Sequence, residues 1–441
     1  MGISNVIFLV LLIAGVGLFA KNVGKIARNI RLGRKENRSD NRSERIKTML
    51  KVAFGQTKMV ARPIPGLLHF VVYLGFVIIN IEVLEIVIDG LFGTHRVFAF
   101  LGPAYDVLIG SFEILAFGVL LACVIFLIRR NILRLRRFHL SEMTKWPKSD
   151  ANIILVAEIL LMGAFLKMNA ADQVLQARGV DHYIQAGSFP ISSWLMPFFQ
   201  NMETSTILLL ERVYWWFHII GIFVFLNYLP YSKHFHILLA FPNTYYSNLS
   251  PKGKFTNMEA VTKEVKLMFD PEADPYAAPL EPDSGAEPEK FGAKDVRDLT
   301  WKNLMDAYTC TECGRCTSEC PANQTGKLLS PRKIMMDTRD RLEEVGKGID
   351  KQGKEFNDNK SLLGDYITEE ELWACTSCNA CTQACPVNID PLNIIMEMRR
   401  YLVMEESKVP SELTSMFNNV ENNGAPWAFP QADRLKWAEE A

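Results

Sequence analysis

Cys310-Thr-Glu-Cys313-Gly-Arg-Cys316-Thr-Ser-Glu-Cys320-Pro321 is followed 65 residues later by Cys375-Thr-Ser-Cys378-Asn-Ala-Cys381-Thr-Gln-Ala-Cys385-Pro386. Eight of the nine cysteines lie in these two runs, and the ninth, Cys123, stands alone in an apolar stretch. Three thiolates on one tight turn can hold three irons of a cubane cluster, while the cysteine before proline crosses to the other cluster. The spacing therefore predicts two [4Fe-4S] clusters. One is held by Cys310, Cys313, Cys316 and Cys385, the other by Cys375, Cys378, Cys381 and Cys320. A disulfide framework suits small secreted domains rather than two tight cysteine runs. Zinc ribbons usually pair two separated Cys-x2-Cys knuckles instead of a triple followed by Cys-Pro.

Outward from these runs the chain divides. Its 441 residues allow two or three domains, and a net charge of −1 gives no basic field for nucleic acid. Apolar residues pile up before residue 242, which predicts a membrane half followed by a soluble half. Five stretches can each span a bilayer, at about 20 residues per helix. They cover about 3–20, 66–88, 107–128, 152–168 and 213–229. Nothing basic precedes the first, and Lys21, Lys25, Arg28, Arg31, Arg34 and Lys35 follow it, the reverse of a secretion signal. The basic runs after spans one and three (Arg129, Arg130, Arg134, Arg136, Arg137) place those ends in the cytoplasm. The N-terminus is then outside, the iron–sulfur half is cytoplasmic, and the membrane is of the bacterial inner-membrane type. Cluster thiolates need a reducing compartment, which agrees.

Seven histidines are present: His69, His95, His139, His182, His218, His234 and His236. His69 lies near the cytoplasmic start of span two, and His236 just beyond Pro230 at the same end of span five. Depth pairs His69 with His236 or His234. His218, 12 residues before Pro230, is about 18 Å deeper. Acids inside spans are costly and are candidates for function. Glu82 and Glu85 in span two form a candidate proton path or quinone pocket. Packing roles compete for both, and suit Glu113 better; Glu158 lies within span four. The 167–212 segment reads as a partly interfacial loop, with no chemistry assigned to it.

His218-x11-Pro230-x-Ser232-Lys233-x2-His236 resembles the last helix of the cytochrome b gamma subunit of respiratory nitrate reductase, and Gly66-Leu-Leu-His69-Phe70 resembles its first second-helix ligand motif. The resemblance implies five spans with haem b held by histidines on the second and fifth. It supports one haem on His69 and His236. The family's next second-helix histidine falls near Ile79-Asn80, so His218 is left as a possible second haem or quinone-site residue. Two imidazole ligands leave no open iron position, which suits electron transfer.

Residues 242–294 read as a connector, with a short helix near Val261–Phe269 and a Pro- and acid-rich linker over 270–294. The soluble unit covers about 295–405, as two similar halves. Ser330-Pro331 and Asp390-Pro391 are helix starts, and Thr368-Glu-Glu-Glu371 is a capping box. No strand pattern is visible, and 54 residues separate Cys320 from Cys375. The fold class is therefore mainly α: a five-helix transmembrane bundle followed by an α-helical dicluster ferredoxin domain. Lys347–Asn359 reads as a loop between the halves. This unit resembles the helical ferredoxin modules of heterodisulfide reductase, the glycerol-3-phosphate dehydrogenase anchor subunit and succinate dehydrogenase iron–sulfur subunits.

A cytochrome b domain followed by such a module resembles the membrane iron–sulfur oxidoreductases of the heterodisulfide reductase group, some of them proposed to link electron-transfer flavoprotein to menaquinone. Members often continue into Cys-Cys-Gly modules, absent here after Asn422-Asn423-Gly424-Ala425-Pro426-Trp427. The resemblance implies a separate Cys-Cys-Gly subunit or electron-transfer flavoprotein as partner, docked at a tail over 406–441. No dinucleotide fingerprint or P-loop is present. The expected role is a membrane electron-transfer subunit working with quinone. The alternative is an iron–sulfur scaffold or signalling protein with neither haem nor quinone.

Overall fold

A computed structural model describes residues 2–272 and 290–439; most of the expected linker, 273–289, lies outside the described residues. Five helices are long and apolar enough to cross a membrane: Ile3–Ile30, Pro63–Phe92, Pro103–Ile132, Trp146–Ala177 and Thr204–Tyr231. Each runs beyond its expected limits. Counting apolar residues finds only the lipid-facing part, whereas a helix continues until its backbone is stopped. Proline at the first turn starts spans two, three and four. Gly93, at φ +72°, stops span two with its amide bonded back to the carbonyl of Asp89.

Span four differs most from expectation, because Asn169, Asp172 and Gln176 continue it as buried polar residues. The expected 167–212 loop is therefore corrected at both ends: helix reaches Ala177 and resumes at Thr204. Spans two to five pack as neighbours, with span one against two and five. Small residues allow the closest approaches, as in membrane bundles generally. A Cβ on Gly75 would lie 2.6 Å from Val119.

The cluster half is helical throughout, and among the described residues only two isolated β-bridges occur. Ser330 and Asp390 cap Pro331–Gln352 and Pro391–Met404, and Thr368 with Glu371 forms the expected box. The connector helix runs Glu259–Met268. The expected loop from Lys347 begins late, since helix continues to Gln352. Gly346 and Gly348 are places of close contact within that helix. A Cβ on Gly346 would meet Asn29 at 2.5 Å, and one on Gly348 would run into Phe356.

One core joins the two halves. Ile26, Leu229 and Phe235 from the membrane half bury with Val296, Leu304, Ile334 and Met398 of the cluster half. The basic tail of span one lies along this junction. Lys25 and Arg28 pair with Asp350, Arg34 pairs with Glu397 at 2.9 Å, and Asn29 donates to the Tyr308 hydroxyl at 2.9 Å. Arg34 also exchanges backbone hydrogen bonds with Leu299 and Trp301. Charges that read as a topology signal are thus also docking contacts.

Candidate functional site

The two cysteine runs fold alike. Glu312 and Ser377, equivalent positions, take positive φ (53° and 54°), as do Gly314 and Asn379 (69° and 61°). These left-handed residues curl each Cys-x2-Cys-x2-Cys run into a loop that opens onto a short helix, Arg315–Ser318 or Ala380–Ala384. Amides point at sulfur: Ser377 N–H donates to Cys375 Sγ at 3.4 Å, and Ile389 N–H to Cys385 Sγ at 3.3 Å.

Cys310, Cys313, Cys316 and Cys385 line one cavity, together with Arg315, Arg332, Met335 and Ile389. The cysteine before Pro386 is thus brought to the first run, as crossed ligation requires. Reciprocally, Cys320 lies close enough to Cys375 to raise its thiol pKa, behind the larger effect of burial. Burial pushes Cys310 up to about 12 and Cys385 up to about 11, and neighbouring thiols add to both. Buried sulfurs that repel one another as thiolates need a multivalent cation among them. Among the described residues, no three His, Cys, Asp or Glu side chains gather tightly enough for a single ion. Zinc would need four sulfurs at about 2.3 Å from one centre. The wider grouping fits a multi-iron unit.

The loop of the first run is anchored to the membrane half through Glu312. This buried carboxylate pairs with Arg339 at 2.7 Å and with Lys233, whose ammonium also lies 3.8 Å from Asp150. Burial raises the Glu312 pKa, but Arg339 and Lys233 outweigh it and hold the carboxyl below its ordinary value. Beside it the fully buried Arg332 reaches Glu142 at 2.8 Å and the Arg137 carbonyl at 2.6 Å. A Cβ on Gly314 would sit 2.5 Å from the Arg332 guanidinium, so glycine is needed there for contact as well as for φ.

Lys233 connects this anchor to the histidines. Its carbonyl lies 3.0 Å from His236 Nδ1, which fixes the ring and leaves Nε2 free. The His236 ring centre is 6.4 Å from that of His69, and 5.6 Å from that of His234. Burial lowers the pKa of His236 and brings His234 down to about 3, so both rings are neutral and able to ligate. His69 Nδ1 is buried without a partner. His218 is buried elsewhere, its Nδ1 3.0 Å from the Leu161 carbonyl and its ring beside Phe165.

At the far end of the bundle lies a polar cavity lined by Glu82, Glu85, Arg96, Asp172, Glu211 and Trp215, among others. Both oxygens of buried Glu82 lack a hydrogen bond, with Arg96 3.7 Å away. Glu85 is engaged, accepting from Tyr105 Oη and Phe98 N at 2.9 Å. Glu113 accepts from Asn169, Ile191 N and Ser192 N, a packing role. Sequence reasoning missed Arg96, Asp172 and Glu211. Arg96 stands in a short inter-span loop and pairs with Asp172 at 2.6 Å, and only the tertiary fold brings them together. Asp172 and Glu211, charged residues within long apolar helices, were the signal available.

Residues 309–389 match the model of the 4Fe-4S dicluster domain family. The chain is 28% identical to a probable iron–sulfur-binding oxidoreductase, FadF, of Bacillus subtilis, over 99% of this chain and 61% of that protein. It is 28% identical to an EtfAB:quinone oxidoreductase of Syntrophomonas wolfei, over 92% of this chain and 55% of that protein. It thus spans less than two thirds of the length of either relative. The cluster region is also 32% identical to one polypeptide of a ferredoxin/F420H2-dependent CoB-CoM heterodisulfide reductase of Methanosarcina acetivorans, over 24% of this chain and 52% of that polypeptide. No solved structure matches. The chain is thus similar to iron–sulfur oxidoreductases over most of its length and to heterodisulfide reductase subunits over its cluster region.

Proposed function

We propose that the chain is a membrane electron-transfer subunit, passing electrons between a cytoplasmic partner and the quinone pool through two [4Fe-4S] clusters and haem b. The observation that carries this reading is one short structural path. The Cys310–Cys313 loop is ion-paired through Glu312 to Lys233, and the Lys233 carbonyl lies against the ring of His236, which faces His69. The ring separation suits a shared iron: two metal–imidazole bonds of about 2 Å, plus about 1.1 Å from each nitrogen to its ring centre, sum to roughly 6 Å.

Cys310, Cys313, Cys316 and Cys385 would hold one cluster, and Cys375, Cys378, Cys381 and Cys320 the other. His69 and His236 would hold haem b. When bound, these groups supply one-electron steps, and a quinone takes two electrons and two protons to become quinol. The protein's part is positioning and charge. Glu312 holds the first cysteine loop against the membrane half, Lys233 orients His236, and burial keeps His236 neutral.

Glu82 is 13 residues from His69 in span two, about 20 Å of helix. At that distance its cavity suits proton exchange at the outer face. The basic segment Arg129–Arg137 orients the cluster half toward the cytoplasm. The 406–441 tail exposes Phe417, Val420, Trp427, Phe429, Leu435 and Trp437, a surface suited to a separate partner: a Cys-Cys-Gly iron–sulfur subunit or an electron-transfer flavoprotein. The name of the Syntrophomonas relative supports the flavoprotein and quinone parts of this reading. The test is a reduced-minus-oxidised spectrum of membranes carrying the full chain. A b-type band lost in His69→Ala and His236→Ala is expected. Its absence from the wild type would return the chain to the scaffold reading.

A further inference from the structure

Ahead of span two a helix runs Arg42–Met49 and closes in a π-helical turn, Leu50–Phe54. One side of it is fixed to the protein. Buried Arg45 donates to the carbonyls of Asp40, Tyr245 and Ser247 and pairs with the Asp40 carboxylate at 2.6 Å. Val52 and Ala53 are buried, and the Phe54 ring centre lies 4.7 Å from that of Phe241 in the helix His236–Tyr245. Another side is a bare apolar stripe: Ile46, Leu50 and Phe54 are 46, 50 and 48% exposed. An α-helix would carry position 54 further round the surface. The wider π turn rotates less per residue and keeps the three nearer one line.

The stripe does not end with the helix. Val60, Ile64 and Leu67 are exposed in turn and carry it onto the lipid face of span two. Exposed Arg42, Lys47 and Lys51 flank it, against one exposed acid, Glu44. Arg134 and Arg136, beyond the returning end of span three, are exposed at the same end of the bundle. Protein interfaces are depleted in lysine, whereas a lysine beside an apolar stripe can lay its stem on acyl chains and lift its ammonium to a phosphate. This pattern is that of a helix lying in the plane of a membrane surface.

We infer that Arg42–Phe54 is an in-plane membrane anchor, with Ile46, Leu50 and Phe54 at the acyl boundary and Lys47 and Lys51 on anionic lipid headgroups. Its place in the fold gives the anchor a role. The chain that leaves it touches both cysteine runs. Lys58 donates to the Thr382 carbonyl at 3.1 Å and to Asn388 Oδ1 at 2.9 Å. Arg315 donates to the carbonyls of Lys58 and Met59, and Arg62 pairs with Glu319 at 2.8 Å. Lipid held by the helix therefore steadies the segment on which the cysteine loops rest. The anchor is independent of haem and quinone.

The test uses the full chain in nanodiscs of phosphatidylcholine, alone or mixed with phosphatidylglycerol. A lysine at an anionic surface strengthens binding about fivefold. Hydrogen exchange at the 46–54 amides should therefore slow by roughly 25-fold when phosphatidylglycerol is added. In Lys47→Gln combined with Lys51→Gln most of that lipid dependence should vanish. Both lysines are exposed, so cluster signals in electron paramagnetic resonance should persist in the variant. If they do not, the wild-type comparison between the two lipids decides alone. Benzoylphenylalanine in place of Leu50, irradiated in native membranes, should cross-link to lipid. Equal exchange in the two nanodiscs would overturn the inference. So would failure to cross-link lipid, whether the stripe meets a second copy of the chain, another protein or water.

Discussion

Glu142→Gln tests how the cluster half is held on the membrane half. Glu142 stands between spans three and four, and accepts from Arg332 Nη2 at 2.8 Å, Arg332 Nε at 3.3 Å and Ser330 Oγ at 2.7 Å. Arg332 is fully buried. Removing one partner of a buried pair costs about 3–5 kcal/mol. Here Arg332 keeps the Arg137 carbonyl, and glutamine keeps an oxygen for Ser330, so about 2–3 kcal/mol is expected. That is roughly a 30- to 150-fold increase in local opening. Hydrogen exchange at the first amides of the Pro331–Gln352 helix measures it. Replacing both partners, as Glu142→Leu with Arg332→Met, should recover most of the loss, since no buried charge is left alone.

The pH dependence gives an independent check. Burial raises the Glu142 pKa, but Ser330 and Arg332 outweigh it, so the folded value lies below the ordinary one. The stabilisation is then fully present above the unfolded carboxylate pKa, about 4.3, and is lost as pH falls through the folded value. The difference between wild type and Glu142→Gln should be flat from pH 8 to about 5 and shrink below. Unchanged protection in the variant, or a difference that grows toward acid, would refute the reasoning.

Crossed ligation makes Cys385→Ser and Cys310→Ser non-additive in cluster iron, since both disable one cluster, whereas Cys385→Ser with Cys320→Ser should remove both; additive loss in the first pair would reject the assignment. Gly314→Asn should lower cluster content although Asn379 occupies the equivalent position, because Arg332 fills the space a side chain would need. Asn379→Gly, the reverse exchange, should keep its iron by the same assay. Glu82→Gln should slow quinone reduction, while Glu85→Gln should act mainly on stability through its bonds to Tyr105 and Phe98; equal turnover in Glu82→Gln and wild type would remove Glu82 from the proton route.

The sequence carried the order of helices because apolar runs and caps are local. Ser330-Pro331, Asp390-Pro391 and Thr368–Glu371 do structurally what their chemistry implies. The approach of His69 to His236 was legible too, because helical rise converts sequence position into depth. Boundaries failed where tertiary contact overrides composition. Asn169 and Asp172 continue span four because Glu113 and Arg96 meet them, and Gly348, within the expected loop, stays helical where Phe356 packs against it. The Glu312–Lys233 anchor was invisible for the same reason: each sits in a quoted motif, but 79 residues separate the pair and nothing local joins them.

The equivalence of the two cysteine loops ends at their surroundings. Around the first, Arg315, Arg332, Glu312 and Lys233 are packed between protein layers; in the second, Cys378 is exposed. Two sites with the same ligand geometry therefore differ in chemical vulnerability. Oxidants and chelators arriving from water meet Cys378 first, so damage in air should begin at the second cluster and reach the first more slowly. Repair has the same polarity, with iron and sulfide reaching the outer loop more readily than the half-buried inner one.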